Sequence, residues 1–255
     1  MSNLTRTCLG LFVATFFLSI TPNAKAQETL TIAASNWAPY KDENLPGGGI
    51  VMDVTTQALI RAGYKVDSIV LPWKRTLQGA IIGKYDVLPA IWQTAERAEK
   101  LVFSEPIITS RVVIISKKSI NFEYKTLESL TGRTVGVGIG WGYPEDFQKA
   151  TNFTRDTSHE LKITLNKLIF GRVNLAIVEE YAARYAMNAY FKDDADNVTY
   201  SKVSLEEKDL RVAFSKKHSK HEEILKRFNV ALAEMKTDGT FQKIMSFHGV
   251  SLANR

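Results

Sequence analysis

The chain has 255 residues, of which 45% are hydrophobic and 24% are charged, a balance typical of a folded globular protein rather than a disordered or fibrous one. Its 33 basic and 27 acidic residues give a formal net charge of +6, but they are interspersed, without a block of five like charges. The charge pattern therefore indicates no nucleic-acid-binding surface.

The start of the chain is typical of an export signal. Residues 8–20 form an apolar run of 13 residues, too short to span a bilayer, and Arg6 places a positive charge ahead of it. Ala24-Lys25-Ala26 is a small-x-small cleavage site, which predicts a signal peptide at residues 1–26 and a mature chain from Gln27. Cys8, the single cysteine, would leave with the signal, so the exported protein is predicted to have no disulfide and no thiolate metal site.

After Gln27, short apolar runs alternate with helical patterns. The first half predicts strands at residues 30–34, 66–70 and 85–90, with helices at residues 50–62 and 72–83 between them. A β-branched run at residues 111–116 predicts a buried crossing strand.

The second half repeats this order, with predicted strands at residues 134–138, 173–178 and 210–214. Thr157 with Glu160, and Ser219 with Glu222, match the capping box and predict a helix after each pair, followed by a short last helix. Two βαβ series without a flexible linker predict an α/β fold of two lobes with largely parallel sheets. A ligand would then lie between the lobes, beyond the carboxyl ends of the strands.

The sequence predicts no catalytic residue, no metal site and no cofactor. It contains neither a G-x-S-x-G nor an H-E-x-x-H motif. His218 and His221 could share one helix face, but a solvated polar face is the more common reading of such a pair without a third ligand nearby.

A glycine-rich segment at residues 136–144 follows a predicted strand. It does not fit the dinucleotide-binding pattern, because Trp141 or Tyr143 occupies the position of the third glycine. Two readings remain open: a turn whose backbone N–H groups bind a small anion, or a plain tight turn.

All four tryptophans, Trp37, Trp73, Trp92 and Trp141, fall in or just after predicted strand ends. Each one alone is more often structural than ligand-facing. Their shared position favours a single cleft with aromatic walls.

Eight short motifs stand in order along the chain: Asn36-Trp37-Ala38-Pro39-Tyr40, residues 49–53, residues 83–87, Thr94-Ala95-Glu96-Arg97, Phe103-Ser104-Glu105-Pro106, residues 130–137, Gly171-Arg172-Val173-Asn174 and residues 235–241. Together they resemble family 3 of the periplasmic solute-binding proteins, the polar amino-acid receptors of ABC importers. The resemblance implies a type II fold of two lobes joined by two crossing strands. Lobe one would comprise residues 27–111 and 209–255, and lobe two residues 112–208.

The resemblance also implies residue roles. Trp37 matches the aromatic residue that packs on the ligand side chain, and Arg97 matches the arginine that clamps the α-carboxylate. A guanidinium in the first turn of a helix that opens at Thr94 is well suited to bind a carboxylate. The alternative for Arg97 is a surface ion pair with Glu96 or Glu99.

Glu179 matches the acid that takes the α-ammonium, and the alternative is that Glu180 faces the cleft instead. The chain departs from the family pattern at Pro89, Ala90, Trp92, Asn174 and the lobe-two turn Gly140-Trp141-Gly142-Tyr143. Because hydroxyls are lost and rings are added, an aromatic or otherwise less polar ligand would suit the site better than a standard polar amino acid.

The leading hypothesis is a monomeric periplasmic protein that captures a small amino-acid-like carboxylate for an inner-membrane ABC permease. Two alternatives remain open. The same fold hosts secreted cyclohexadienyl (prephenate-type) dehydratases, in which Glu179 or Glu180 could act as an acid. The protein could also be an orphan receptor that presents its ligand to a sensor kinase.

Overall fold

Ten strands and eight α-helices lie within residues 27–249, the part of the chain that the computed structural model describes. The predicted signal peptide and Cys8 lie outside these residues. The strands are β1 (Thr29–Ala34), β2 (Lys65–Val70), β3 (Val87–Trp92), β4 (Leu101–Phe103), β5 (Ile108–Lys117), β6 (Thr134–Gly138), β7 (Thr154–Ser158), β8 (Leu175–Glu179), β9 (Val198–Tyr200) and β10 (Glu206–Ser215). The helices are α1 (Ile50–Arg61), α2 (Trp73–Ile81), α3 (Ala95–Lys100), α4 (Glu145–Lys149), α5 (Leu161–Ile169), α6 (Glu180–Tyr190), α7 (His221–Thr237) and α8 (Thr240–Phe247).

The strands form two parallel groups joined by antiparallel strands, in the order β2-β1-β3-β10-β5-β8-β6-β7. In the first lobe, β1 pairs in parallel with β2 and β3, and in the second, β6 pairs in parallel with β7 and β8. β5 and β10 pair antiparallel with each other and extend into both groups, since β10 also pairs with β3 and β5 also pairs with β8. The protein therefore has the predicted α/β fold of two lobes with a hinge of two crossing strands. The domain boundaries given above remain a prediction.

Apolar side chains on the helices cover both faces of each parallel group. α1 buries Ile50, Val51, Val54, Ala58 and Leu59, and it packs against α7 and α8, which return from the end of the described chain. In the second lobe, Leu165, Leu168, Ala183 and Met187 of α5 and α6 pack on the strands. No helix within residues 27–249 combines the length and apolarity needed to cross a bilayer.

Both predicted capping boxes are wrong. Thr157 lies inside β7, where it pairs with Val137, and the residue before α5 is Glu160, three positions beyond the predicted cap, without a side-chain capping hydrogen bond. α7 begins after Lys220 rather than at Ser219, again without a side-chain cap. In the first case strand pairing outweighs the local capping preference, because a capping hydrogen bond contributes only about 1 kcal/mol.

Candidate functional site

A cavity of about 710 Å³ lies between the two lobes. The first lobe contributes the segment after β1, the start of α2, the end of β3 and Arg97 of α3. The second lobe contributes the loop after β6, the start of α5 and the face of α6 that carries Tyr185 and Tyr190. The volume is in the range of small-molecule binding sites.

Trp37, Trp73, Trp92 and Trp141 all line this cavity. Trp37 packs edge-on against Trp92, with ring centroids 5.4 Å apart. Trp92 is 6% exposed, and its Nε1 donates a hydrogen bond to Ser110 Oγ at 3.0 Å inside the protein. Trp73 Nε1 donates to the carbonyl oxygen of Gly140 in the opposite lobe, at 3.2 Å. The aromatic walls therefore come from both lobes.

Arg97 is buried at the cavity wall and is 7% exposed. Thr94 caps the start of α3 as predicted, since its Oγ1 accepts a hydrogen bond from the Arg97 backbone N–H. The guanidinium donates from Nη1 to the Trp92 carbonyl at 2.7 Å and from Nη2 to the Gly140 carbonyl at 2.9 Å. Burial lowers the pKa of Arg97 to about 10, and nearby Glu96 partly opposes this shift.

The glycine-rich loop after β6 presents carbonyl oxygens to the first lobe. The Gly140 carbonyl accepts from Arg97 and Trp73, and the Gly142 carbonyl accepts from Lys208 of β10. A Cβ atom on Gly142 would lie 2.9 Å from Thr94 Cγ2, so glycine allows this close approach. The structure favours the tight-turn reading of this loop over an anion site made of N–H groups.

Lys41 is a second buried cation at the cavity, and it is 3% exposed. Its Nζ donates to the carbonyl oxygens of Pro89 at 3.1 Å and Ala90 at 3.3 Å, and lies 5.0 Å from the Trp73 ring centroid. Burial, and secondarily the charge of Arg97, lower the pKa of Lys41 to about 7. Within residues 27–249, neither Lys41 nor Arg97 forms an ion pair with a carboxylate.

Six of the eight predicted site residues line the cavity: Trp37, Trp73, Trp92, Arg97, Trp141 and Gly142. Tyr143 does not, because its side chain is buried and its hydroxyl accepts a hydrogen bond from the Gly138 N–H at 2.9 Å.

Neither candidate acid for an α-ammonium lines the cavity. Glu179 is 2% exposed, and its Oε2 accepts from the Ala182 N–H at 2.7 Å at the start of α6. Glu180 forms ion pairs with Arg111 at 2.6 Å and Arg184 at 2.7 Å. The carboxylate of Glu179 is therefore bound by the start of α6, and that of Glu180 by arginines of α6 and of the crossing strand β5.

Lys41 and the two tyrosines of α6, Tyr185 and Tyr190, are among the residues at the cavity wall that sequence reasoning missed. Trp37 and Lys41 pair across a tight turn, with Trp37 N donating to Lys41 O at 2.6 Å and Lys41 N to Trp37 O at 3.1 Å. The proximity of Lys41 to the Trp37 motif was a usable signal, but lysine is usually solvated. Tyr185 and Tyr190 lie on a helix that the apolar pattern did not predict.

Residues 30–249 match the bacterial extracellular solute-binding proteins, family 3. Among similar proteins, the arginine-binding extracellular protein ArtP of Bacillus subtilis is 26% identical over 190 residues, 72% of this chain and 71% of that protein. The L-cystine-binding protein TcyJ of Escherichia coli K12 is 30% identical over 150 residues, 58% of this chain and 54% of that protein. These relatives are named as binding proteins and not as enzymes.

Solved structures share the fold at lower sequence identity. A mutant of the arginine-binding protein of T. maritima superposes with a TM-score of 0.73 at 22% identity, over 85% of this chain and 93% of that one. The ancestral amino-acid-binding protein AncCDT-1, described as a precursor of cyclohexadienyl dehydratase, gives 0.69 at 24% identity, over 86% and 93%. With its two lobes, the cavity between them and the match over residues 30–249, the chain belongs to the bacterial extracellular solute-binding proteins, family 3.

Proposed function

We propose that the protein binds a small carboxylated, amino-acid-like solute in the cavity between its lobes and delivers it to an ABC importer of the inner membrane. One observation carries this proposal: Arg97 is buried at the cavity wall, with backbone carbonyls as its hydrogen-bond partners and no ion pair to a carboxylate within the part of the chain that the structure describes. These bonds use two of the five N–H donors of the guanidinium. A ligand carboxylate would supply the missing negative charge.

Contacts across the cavity support a mechanism in which the lobes close over the solute. Arg97 and Trp73 of the first lobe both donate to Gly140 of the second, and Lys208 of the crossing strand β10 donates to Gly142. A ligand held by Arg97 would lie beside these contacts. It would favour the closed arrangement by binding it more tightly than the open one.

The dehydratase alternative has no support from the two acids considered for it. Glu179 accepts the hydrogen bond at the start of α6, and Glu180 is paired with two arginines. A general acid has to reach the substrate directly or through one water molecule.

Binding is expected to change the intrinsic fluorescence, because all four tryptophans line the cavity. The protein is titrated with amino acids and small organic acids. The tryptophan emission shows whether the ligand binds in the cavity, and calorimetry in parallel measures its affinity. The Trp73→Phe variant should lose part of the change, since it removes the indole fluorophore beside both cations. The same titration of protein unfolded in guanidinium is the control. Calorimetric binding without any change in tryptophan emission would place the ligand outside this cavity.

Export to the periplasm through a cleavable signal is part of the proposal. The family is extracellular, and the small-x-small site at residues 24–26 supports cleavage before Gln27. We expect the intact mass of protein from a periplasmic extract to correspond to a chain that begins at Gln27. A mass that includes residues 1–26 would contradict cleavage.

A further inference from the structure

Lys41 presents a cationic donor at the cavity, and no carboxylate of the described residues pairs with it. Its two hydrogen bonds to the carbonyls of Pro89 and Ala90 use two of the three N–H groups of the ammonium. The Trp37 and Trp73 rings lie beside it, with centroids 5.9 and 5.0 Å from Nζ. The protein thus holds a positive charge in an aromatic surrounding, with one donor left for a ligand.

Lys41 and Arg97 lie close enough to bind one small molecule. Lys41 Nζ donates to the carbonyl of Ala90 and Arg97 Nη1 to that of Trp92, two positions further along β3. Both cations also contact Trp73, at 5.0 and 5.2 Å from its ring centroid. A bound solute would therefore meet two separate positive groups along one wall.

The carboxylates that line the cavity among the described residues are not fully buried. Among the described residues, two carboxylates line the cavity, Asp42 and Glu160. Asp42 is half-buried and accepts hydrogen bonds from the backbone and side chain of Asn44, and Glu160 is exposed. A zwitterionic ligand with one carboxylate would leave either Lys41 or Arg97 without a counter-charge. Its ammonium would also add a third positive group to the cavity.

We propose that the natural ligand carries two carboxylates, one bound by Arg97 and the other by Lys41. This inference rests on the proposed function, because it assumes that the solute occupies the cavity between the lobes. The lowered pKa of Lys41, about 7, agrees with a buried ammonium that lacks a counter-charge. A second carboxylate beside Lys41 would raise this pKa again and keep the ammonium charged.

The test compares each dicarboxylate with the monocarboxylate of the same chain length. Calorimetry at pH 6 measures the binding of succinate, glutarate and adipate, and of butanoate, pentanoate and hexanoate, to the wild-type protein. We expect at least one diacid to bind at least tenfold more tightly than its monoacid. Lys41→Met should lower the affinity for that diacid to the level of the monoacid and leave the monoacid unchanged. Lys41→Arg, which keeps the charge, should retain most of the preference.

Lys65→Met is the matched control, because Lys65 is exposed on β2 and its replacement removes the same charge. Aspartate and glutamate form a second arm: a Lys41-dependent preference for them over the free diacids would support the two-carboxylate inference and assign the ligand to the acidic amino acids. Equal loss of mono- and diacid binding in a folded Lys41→Met protein would show a merely structural role and overturn the inference.

The outcomes separate this inference from the proposed function. Tight binding of a monocarboxylate or a neutral amino acid that depends on Arg97 but not on Lys41 would overturn the two-carboxylate inference alone. If neither these acids nor the amino acids bind the wild-type protein, the proposed function fails as well.

Discussion

Replacement of Arg97 by alanine is expected to weaken ligand binding by about 2–4 kcal/mol, the usual consequence of truncating one partner of a buried, hydrogen-bonded charge pair. This corresponds to a roughly 30- to 1000-fold loss of affinity. The reason is that Arg97 presents a buried, forked guanidinium donor at the wall of the cavity. Among residues 27–249 no carboxylate of the protein pairs with this guanidinium. Calorimetry with the tightest-binding solute measures the loss.

Two further variants sharpen this test. Arg97→Lys keeps the charge but loses the planar fork, so we expect an intermediate affinity. Arg75→Ala removes an exposed arginine of α2 that does not line the cavity, and its affinity should equal that of the wild type. If folded Arg97→Ala protein keeps the wild-type affinity, Arg97 does not bind the carboxylate.

Replacement of Lys41 by methionine is expected to stabilise the ligand-free protein at low pH. The pKa of Lys41 is about 7 in the folded protein, against 10.5 for a lysine in an unfolded chain. Below pH 7 both states carry the proton, and the folded state bears the full penalty of the buried charge. Because the lost hydrogen bonds and ring contacts offset part of this penalty, we expect a gain of about 2 kcal/mol in the free energy of unfolding.

This gain should fall as the pH rises. Between pH 7 and 10.5 the unfolded chain binds more protons at Lys41 than the folded protein does, so the contribution of this group makes the wild type more stable with increasing pH. Urea unfolding of both proteins at pH 6 and pH 9 measures the difference, with Lys65→Met as the control for net charge. A stability difference that is the same at both pH values would show that Lys41 does not titrate in this range.

Most of the strands were predictable from the sequence, because apolar runs of strand length recur between helical patterns, but β4, β7 and β9 were not predicted. The strand at residues 134–138 has the same bounds in the structure, and α1 ends one residue earlier than predicted. The antiparallel pairing of β5 with β10 could not be predicted from the local sequence pattern. It depends on contacts between residues about 100 positions apart, such as Thr109 with Asp209.

Site residues were predictable where they belong to a sequence motif. They were not predictable where tertiary contacts alone bring a side chain to the cavity. Arg97 could be identified because Thr94 caps its helix and the family motif contains it. Lys41 could not, since only the fold brings the carbonyls of Pro89 and Ala90 to its ammonium. Glu179 matched a family position, but its carboxylate accepts a hydrogen bond at the start of α6 and does not line the cavity.

Native mass spectrometry tests the binding of a carboxylated solute at Arg97 most directly. Wild-type and Arg97→Ala proteins are incubated with one mixture of amino acids and small organic acids, and the mass of the bound solute is read from each complex. We expect the wild-type protein to carry one carboxylated solute and the folded Arg97→Ala protein to carry none. Equal occupancy of both proteins, or a bound solute without a carboxylate, would contradict the proposed site.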